Sequence, residues 1–212
     1  MKRMKLGPIL IKKAPGCQQP LKFRTYLSIN TFGAIYWTDG KCEARGWPDR
    51  PWLCKSPSEG VLFWSDECEE IGQIEYPVLP DTQNPAWANL EYAQTPSEAD
   101  YFAALTSGIA NTDSKLRYVR VSLWWAGNDP IRRGEAASLS PAHLANLEAL
   151  VPLLSTSRPE DTLMKADALR ALGRFDEALA LLETSEPKGY QLAVARLREL
   201  ARARQTNVAK LV

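Results

Sequence analysis

The chain changes character near residue 95, and that change limits what it can fold into. Before it, short runs of aromatic and β-branched residues alternate with proline and glycine; after it, Ala, Leu, Arg and Glu recur at helical spacing. Strands first and helices second is the order of an α+β protein. The sequence therefore predicts a small antiparallel β module over residues 1–76, a linker over 77–94 and an antiparallel helical domain over 95–212. At 212 residues the chain can form one large domain or two small ones with a real core.

In the first part, KFRTYLS (22–28) and TFGAIYW (31–37) read as strands joined by a bend at 28–30. TDGK (38–41) is a turn centred on Asp39-Gly40. WPDRPW (47–52) is a proline-punctuated loop, and VLFW (61–64) is a strand entered through PSEG (57–60). Five of the seven tryptophans fall within residues 37–87, where long helical patterns are missing. They are expected to plug a small, irregular β core.

Two turns invite comparison with a metal site: Ala14-Pro15-Gly16-Cys17 and Ser56-Pro57-Ser58-Glu59-Gly60. A zinc ribbon opposes two hairpin turns, each supplying two thiolates two residues apart to one tetrahedral ion. Both turns here keep a proline after the first ligand slot. Only Cys17 among the four slots (14, 17, 56, 59) holds a thiol, and Cys42, Cys54 and Cys68 form no C-x-x-C pair. The expectation is no metal, with Trp37, Trp52, Phe63 and Trp64 holding the module; a rearranged set of Cys17, Cys54, Glu59 and another thiol is the alternative. On the stretches NTFGAIYWTDG (30–40), PWLCKSP (51–57) and GVLFWSDE (60–67), residues 9–66 resemble the N-terminal zinc-ribbon segment of uncharacterised bacterial proteins that join such a ribbon to TPR-like helices. Those proteins carry C-P-x-C at both turns, and three of those positions differ here. The resemblance covers most of the chain and implies no particular activity.

In the second part, Thr95-Pro96-Ser97-Glu98 predicts a helix to about 107 with Thr95 as its N-cap. A second helix covers 114–127, ending at Gly127 before an Asn128-Asp129-Pro130 turn. Others span 140–154, 160–172, 175–184 and 189–204. KADALRALGRFDEALALLE (165–183) resembles a single tetratricopeptide repeat: Gly173 makes the tight turn, Phe175 packs back, Ala178 allows close approach, and Leu179 and Leu182 fill the seam. The hairpin at 160–184 is thus TPR-like. WWAGNDPIRR (124–133) supplies a candidate binding edge of Trp124, Trp125, Asn128, Asp129, Arg132 and Arg133, since Trp and Arg anchor interfaces. Its alternative reading is a structural hinge with a buried tryptophan.

Catalytic patterns are missing. The one histidine, His143, is read as exposed or capping; there is no H-E-x-x-H, P-loop, G-x-G-x-x-G or G-x-S-x-G. Asp66, Glu67, Glu69, Glu70 and Glu75 read as a solvated acidic edge that complements a basic surface. The expectation is no enzyme and no cofactor. LGPILI is too short and too broken for a signal or a membrane span, and four scattered cysteines fit reduced thiols in the cytoplasm. Net charge is +1 but uneven: no acid precedes Asp39, while seven Lys and Arg do. Two functions follow. The first is a protein–protein interaction module, such as a bacterial adaptor or a toxin-immunity protein. The alternative is nucleic-acid association, with Lys12, Lys13, Lys22 and Arg24 on phosphates and Phe23 or Tyr26 stacking on bases.

Overall fold

A computed structural model describes residues 5–29, 32–44, 50–75, 84–184 and 189–211. The bend residue 30, the start of the 31–37 run, loop residues 47–49 and linker residues 77–83 lie outside the described residues. In chain order the strands are β1 (Lys5–Leu6), β2 (Ile9–Lys13), β3 (Leu21–Phe23), β4 (Tyr26–Ser28), β5 (Ile35–Tyr36), β6 (Cys42–Glu43), β7 (Leu53–Lys55), β8 (Leu62–Trp64) and β9 (Glu69–Ile74). Six α-helices follow among the described residues: α1 (Glu98–Thr106), α2 (Asp113–Arg132), α3 (Pro141–Leu150), α4 (Pro159–Ala171), α5 (Phe175–Thr184) and α6 (Gln191–Arg202). The protein is α+β, with small antiparallel sheets before helices. It divides into two compact units, Met1–Gly33 with Ala44–Asp100, and Ala34–Glu43 with Tyr101–Val212.

In the first unit, β2 is the centre of a three-stranded antiparallel sheet in the order β3-β2-β9. The acidic run after VLFW is a strand: Glu69 and Glu70 lie opposite Lys13 and Lys12 across a bulge. Opposite charges at facing positions favour this register. The predicted strand at 22–28 is broken at Arg24–Thr25. There the Thr25 hydroxyl donates to the Pro8 carbonyl at 2.5 Å, and β4 crosses to pair with β1. Residues 84–94, assigned by sequence to a linker, are built into this unit. Lys22 exchanges backbone hydrogen bonds with Glu91 and Ala93 (2.8 and 3.0 Å), and Lys55 exchanges two with Gln94 (2.9 and 3.0 Å). Residues 91–94 therefore join β3 to β7. The core holds Ile11, Leu21, Leu53, Phe63 and Trp64; Trp52 packs on Trp64 with ring centroids 4.7 Å apart.

Trp37 belongs elsewhere. The β5–β6 hairpin closes through the expected TDGK turn, with Tyr36 opposite Cys42, and packs in the helical unit. There α4 and α5 form an antiparallel hairpin, with Gly173 at φ 76° and Phe175, Ala178 and Leu182 buried. Residues 209–211 run beside β5: Thr38 donates its N–H to the Ala209 carbonyl at 2.9 Å, and Leu211 to that of Tyr36 at 2.9 Å.

Three helix expectations need correction. The α1 cap is Ser97 rather than Thr95: Ser97 donates its N–H to Asp100 at 2.8 Å, and the Asp100 N–H returns to the Ser97 hydroxyl at 3.3 Å. This is a reciprocal capping box closed by aspartate. Helix α2 runs past Gly127 and through Pro130 to Arg132. His143 is buried rather than exposed, with its ring 5.6 Å from that of Phe102, while its Nδ1 meets the N-cap Ser140 Oγ of α3 at 2.8 Å, as a capping role requires. One contact explains the last two. A Cβ at Gly127 would lie 2.4 Å from the His143 Cδ2, so the glycine is there for close approach, not to end the helix. Helix propensity alone favours alanine over glycine by about 1 kcal/mol, whereas overpacking costs about 1–3 kcal/mol. Sterics should win: Gly127→Ala is expected to lower stability in urea unfolding, and His143→Ala is expected to remove most of that additional loss in a double-mutant cycle. A stabilised Gly127→Ala protein would contradict this packing.

Candidate functional site

The stretch 124–133 is the socket for the hairpin tip. Along α2, residues 125, 128, 129 and 132 fall on one face by their i, i+3, i+4 spacing. Trp125 Nε1 donates to the Asp39 carbonyl at 3.0 Å, Asn128 Nδ2 to Asp39 Oδ2 at 2.8 Å, and the Arg132 guanidinium pairs with the same carboxylate. Lys41 Nζ and Arg132 Nη1 both donate to Asp129 Oδ1, each at 2.5 Å. Trp124 is wholly buried in the helical core, and Arg133 pairs with Glu135 at the surface, 2.7 Å apart. Beneath the tip, Arg170 bonds Asp167 at 2.6 Å, and its guanidinium also donates to the Gln205 carbonyl. Burial pushes the Asp39 carboxyl above the ordinary range, although Arg132 and Asn128 pull it down. Of the candidate edge, Trp125, Asn128, Asp129 and Arg132 are thus engaged with the hairpin tip, Trp124 is in the core and Arg133 is at the surface.

The turns at 14–17 and 56–60 face each other. Glu59 bridges them: its carboxylate accepts the N–H of Gln18 at 3.0 and 3.2 Å and that of Gln19 at 3.4 Å. Burial raises the Cys17 thiol, the Glu59 charge adds to this, and Ser56 works against it. Burial also pushes Cys54 up to about 12, helped by Cys68, and Cys68 up to about 11. Such thiols stay protonated near neutral pH and make poor nucleophiles. The residues do not fit zinc: Ala14 has no donor atom and Glu59 is engaged by backbone N–H groups. Among the described residues, no three His, Cys, Asp or Glu side chains are placed to hold a metal ion.

An open cleft of about 580 Å³ lies in the first unit, a volume typical of ligand pockets. Alternation along β2 sends Ile11 into the core and leaves Leu10 and Lys12 on the cleft side. The break after β3 places Arg24 and Tyr26 at the rim, and residues 91–94 carry Tyr92 to the other wall. Lys12, Arg24 and Arg50 line it together with Phe23, Tyr26 and Tyr92, and no Asp or Glu does among the described residues. Each cation lies over a ring: Arg24 is 4.3 Å from the Tyr92 centroid, Lys12 5.4 Å from Phe23, and Arg50 5.7 Å from Tyr26. None of the three forms a salt bridge among the described residues, although Glu70 faces Lys12 across the β2–β9 ladder.

Of the residues assigned from sequence to a nucleic-acid surface, the structure brings Lys12, Phe23, Arg24 and Tyr26 together. Lys22 lies over the Tyr92 ring at 5.7 Å and donates to the Ala88 carbonyl, and Lys13 is exposed opposite Glu69. Sequence reasoning missed Arg50 and Tyr92, which long-range pairing delivers to the cleft. Comparison with protein-family models, curated proteins and solved structures finds no match.

The socket yields one prediction. Removing one partner of a buried ion pair costs about 3–5 kcal/mol, so Asp39→Ala is expected to lower unfolding free energy on that scale. Asp39→Asn keeps an acceptor and removes the buried charge, so its loss is expected to be clearly smaller. Equal losses in urea titrations would mean that the Asp39 hydrogen bonds are not what seats the hairpin.

Proposed function

We propose that this is a non-enzymatic protein that binds nucleic acid through the cleft of its first unit. The observation that carries the reading is the trio Lys12, Arg24 and Arg50: among the described residues they line one cleft with no Asp or Glu in its lining, and none of them forms a salt bridge. Cations gathered in one cleft attract a polyanion, and each phosphate bound releases a counterion. The partly exposed rings between them suit bases better than a purely inorganic anion. The protein-interaction reading leaned on 124–133, whose Trp125, Asn128, Asp129 and Arg132 are engaged with the hairpin. It then rests on the TPR-like character of the α4–α5 hairpin.

Binding to labelled oligonucleotides at low and at physiological salt tests the proposal. Affinity is expected to fall steeply with salt. Replacing Lys12, Arg24 and Arg50 with glutamine is expected to flatten the log–log salt slope by about 2, at about 0.7 per single-strand contact. No binding at low salt would overturn it.

The zinc-ribbon-like arrangement is proposed for the same unit, with the Glu59 carboxylate standing where an ion would join the turns. Ala14→Cys, Ser56→Cys and Glu59→Cys together would restore four thiolates. That variant is expected to take up one zinc per chain by elemental analysis; a variant that folds and takes up none would show that the turns are not opposed as a ribbon requires.

A further inference from the structure

We propose that Tyr26 and Tyr92 are stacking platforms for unpaired bases, and that Arg24 and Arg50 occupy those rings until a strand arrives. This rests on the nucleic-acid reading and narrows it to single strands. Tyr92 belongs to residues 91–94, pinned to β3 and β7 by backbone hydrogen bonds, and Tyr26 begins β4. Both rings are therefore held on the sheet framework and partly exposed. Phe23 differs: it packs edge-on against buried Phe63, with centroids 6.3 Å apart, and forms the cleft floor.

The arginines at the rim are exposed, and each covers the ring a base would need. A cation over an exposed ring is held weakly, whereas a base stacked on an aromatic side chain is held more strongly and with little regard to sequence. A base therefore displaces the guanidinium, which becomes free to meet the adjoining phosphate. One exchange thus makes a stack and a phosphate contact together. A duplex cannot drive it, because its base faces are already covered by neighbouring bases.

The test compares a short oligothymidylate, an abasic strand of equal phosphate count and a duplex, each titrated against the full chain at low salt. The wild type is expected to bind the oligothymidylate about tenfold or more tightly than the abasic strand. Tyr26→Leu with Tyr92→Leu is expected to erase that difference, and the paired Tyr→Phe changes to keep it. The comparison of strands on the wild-type protein stands even if the leucine variant folds poorly. Equal affinity for all three probes would overturn the stacking proposal and leave a phosphate-binding cleft. Failure of every probe to bind would overturn both readings.

Discussion

Four backbone hydrogen bonds made by residues 91–94 decide what the first unit can be. Its strands are short: β3 and β7 have three residues each, and neither sheet alone buries much. Pairs that small are marginal in water. By bonding Lys22 on one side and Lys55 on the other, the segment joins the β3-β2-β9 sheet to the β7–β8 hairpin. Each bond contributes only about 0.5–1.5 kcal/mol net. The larger gain is the shared core they close, where Leu21, Cys54 and Phe63 meet. The same bonds bring Tyr92 to the cleft, so the interaction that completes the fold also completes the candidate site.

The charged residues separate by what surrounds them. In the helical unit, Arg132 and Arg170 are buried, and each has a carboxylate and a backbone carbonyl as partners. Pairs of this kind add little net stability, because desolvation offsets attraction, but they penalise any other placement of the hairpin. In the first unit, Lys12, Arg24 and Arg50 have rings for neighbours and line a cavity instead. An arginine that meets a carboxylate inside the fold serves the fold. One that faces an open cleft, with no acid among its described lining residues, is available to something else, and this contrast favours the cleft over the Trp–Arg stretch as the candidate surface.

Local chemistry was legible in the sequence. The order of strands and helices, the TDGK turn and the helices from α3 onward follow from turn residues and apolar spacing. The misses share one cause, distant partners. Strand β9 contains Glu69, Glu70 and Gly72, which weaken any strand signal; its reasons lie across the sheet, in Lys12 and Lys13 and in Trp87, whose ring lies where a Gly72 side chain would stand. Gly127 and Pro130 look like a helix end until His143 and the Asp39 tip supply the packing that keeps α2 going. The site behaves likewise. Phe23, Arg24 and Tyr26 stand together in the sequence and, with the basic Lys12 upstream, were legible as a basic, aromatic surface. Arg50 and Tyr92 join them only through the fold.

Photo-crosslinking to an oligothymidylate, followed by peptide mapping, reports most directly where a strand lies. Attachment is predicted at the peptides carrying Phe23, Tyr26 and Tyr92, and to be lost when Lys12, Arg24 and Arg50 are neutralised. Attachment instead along the arginine-rich α6, at Arg196 or Arg202, or none at low salt, would contradict the assignment of the cleft.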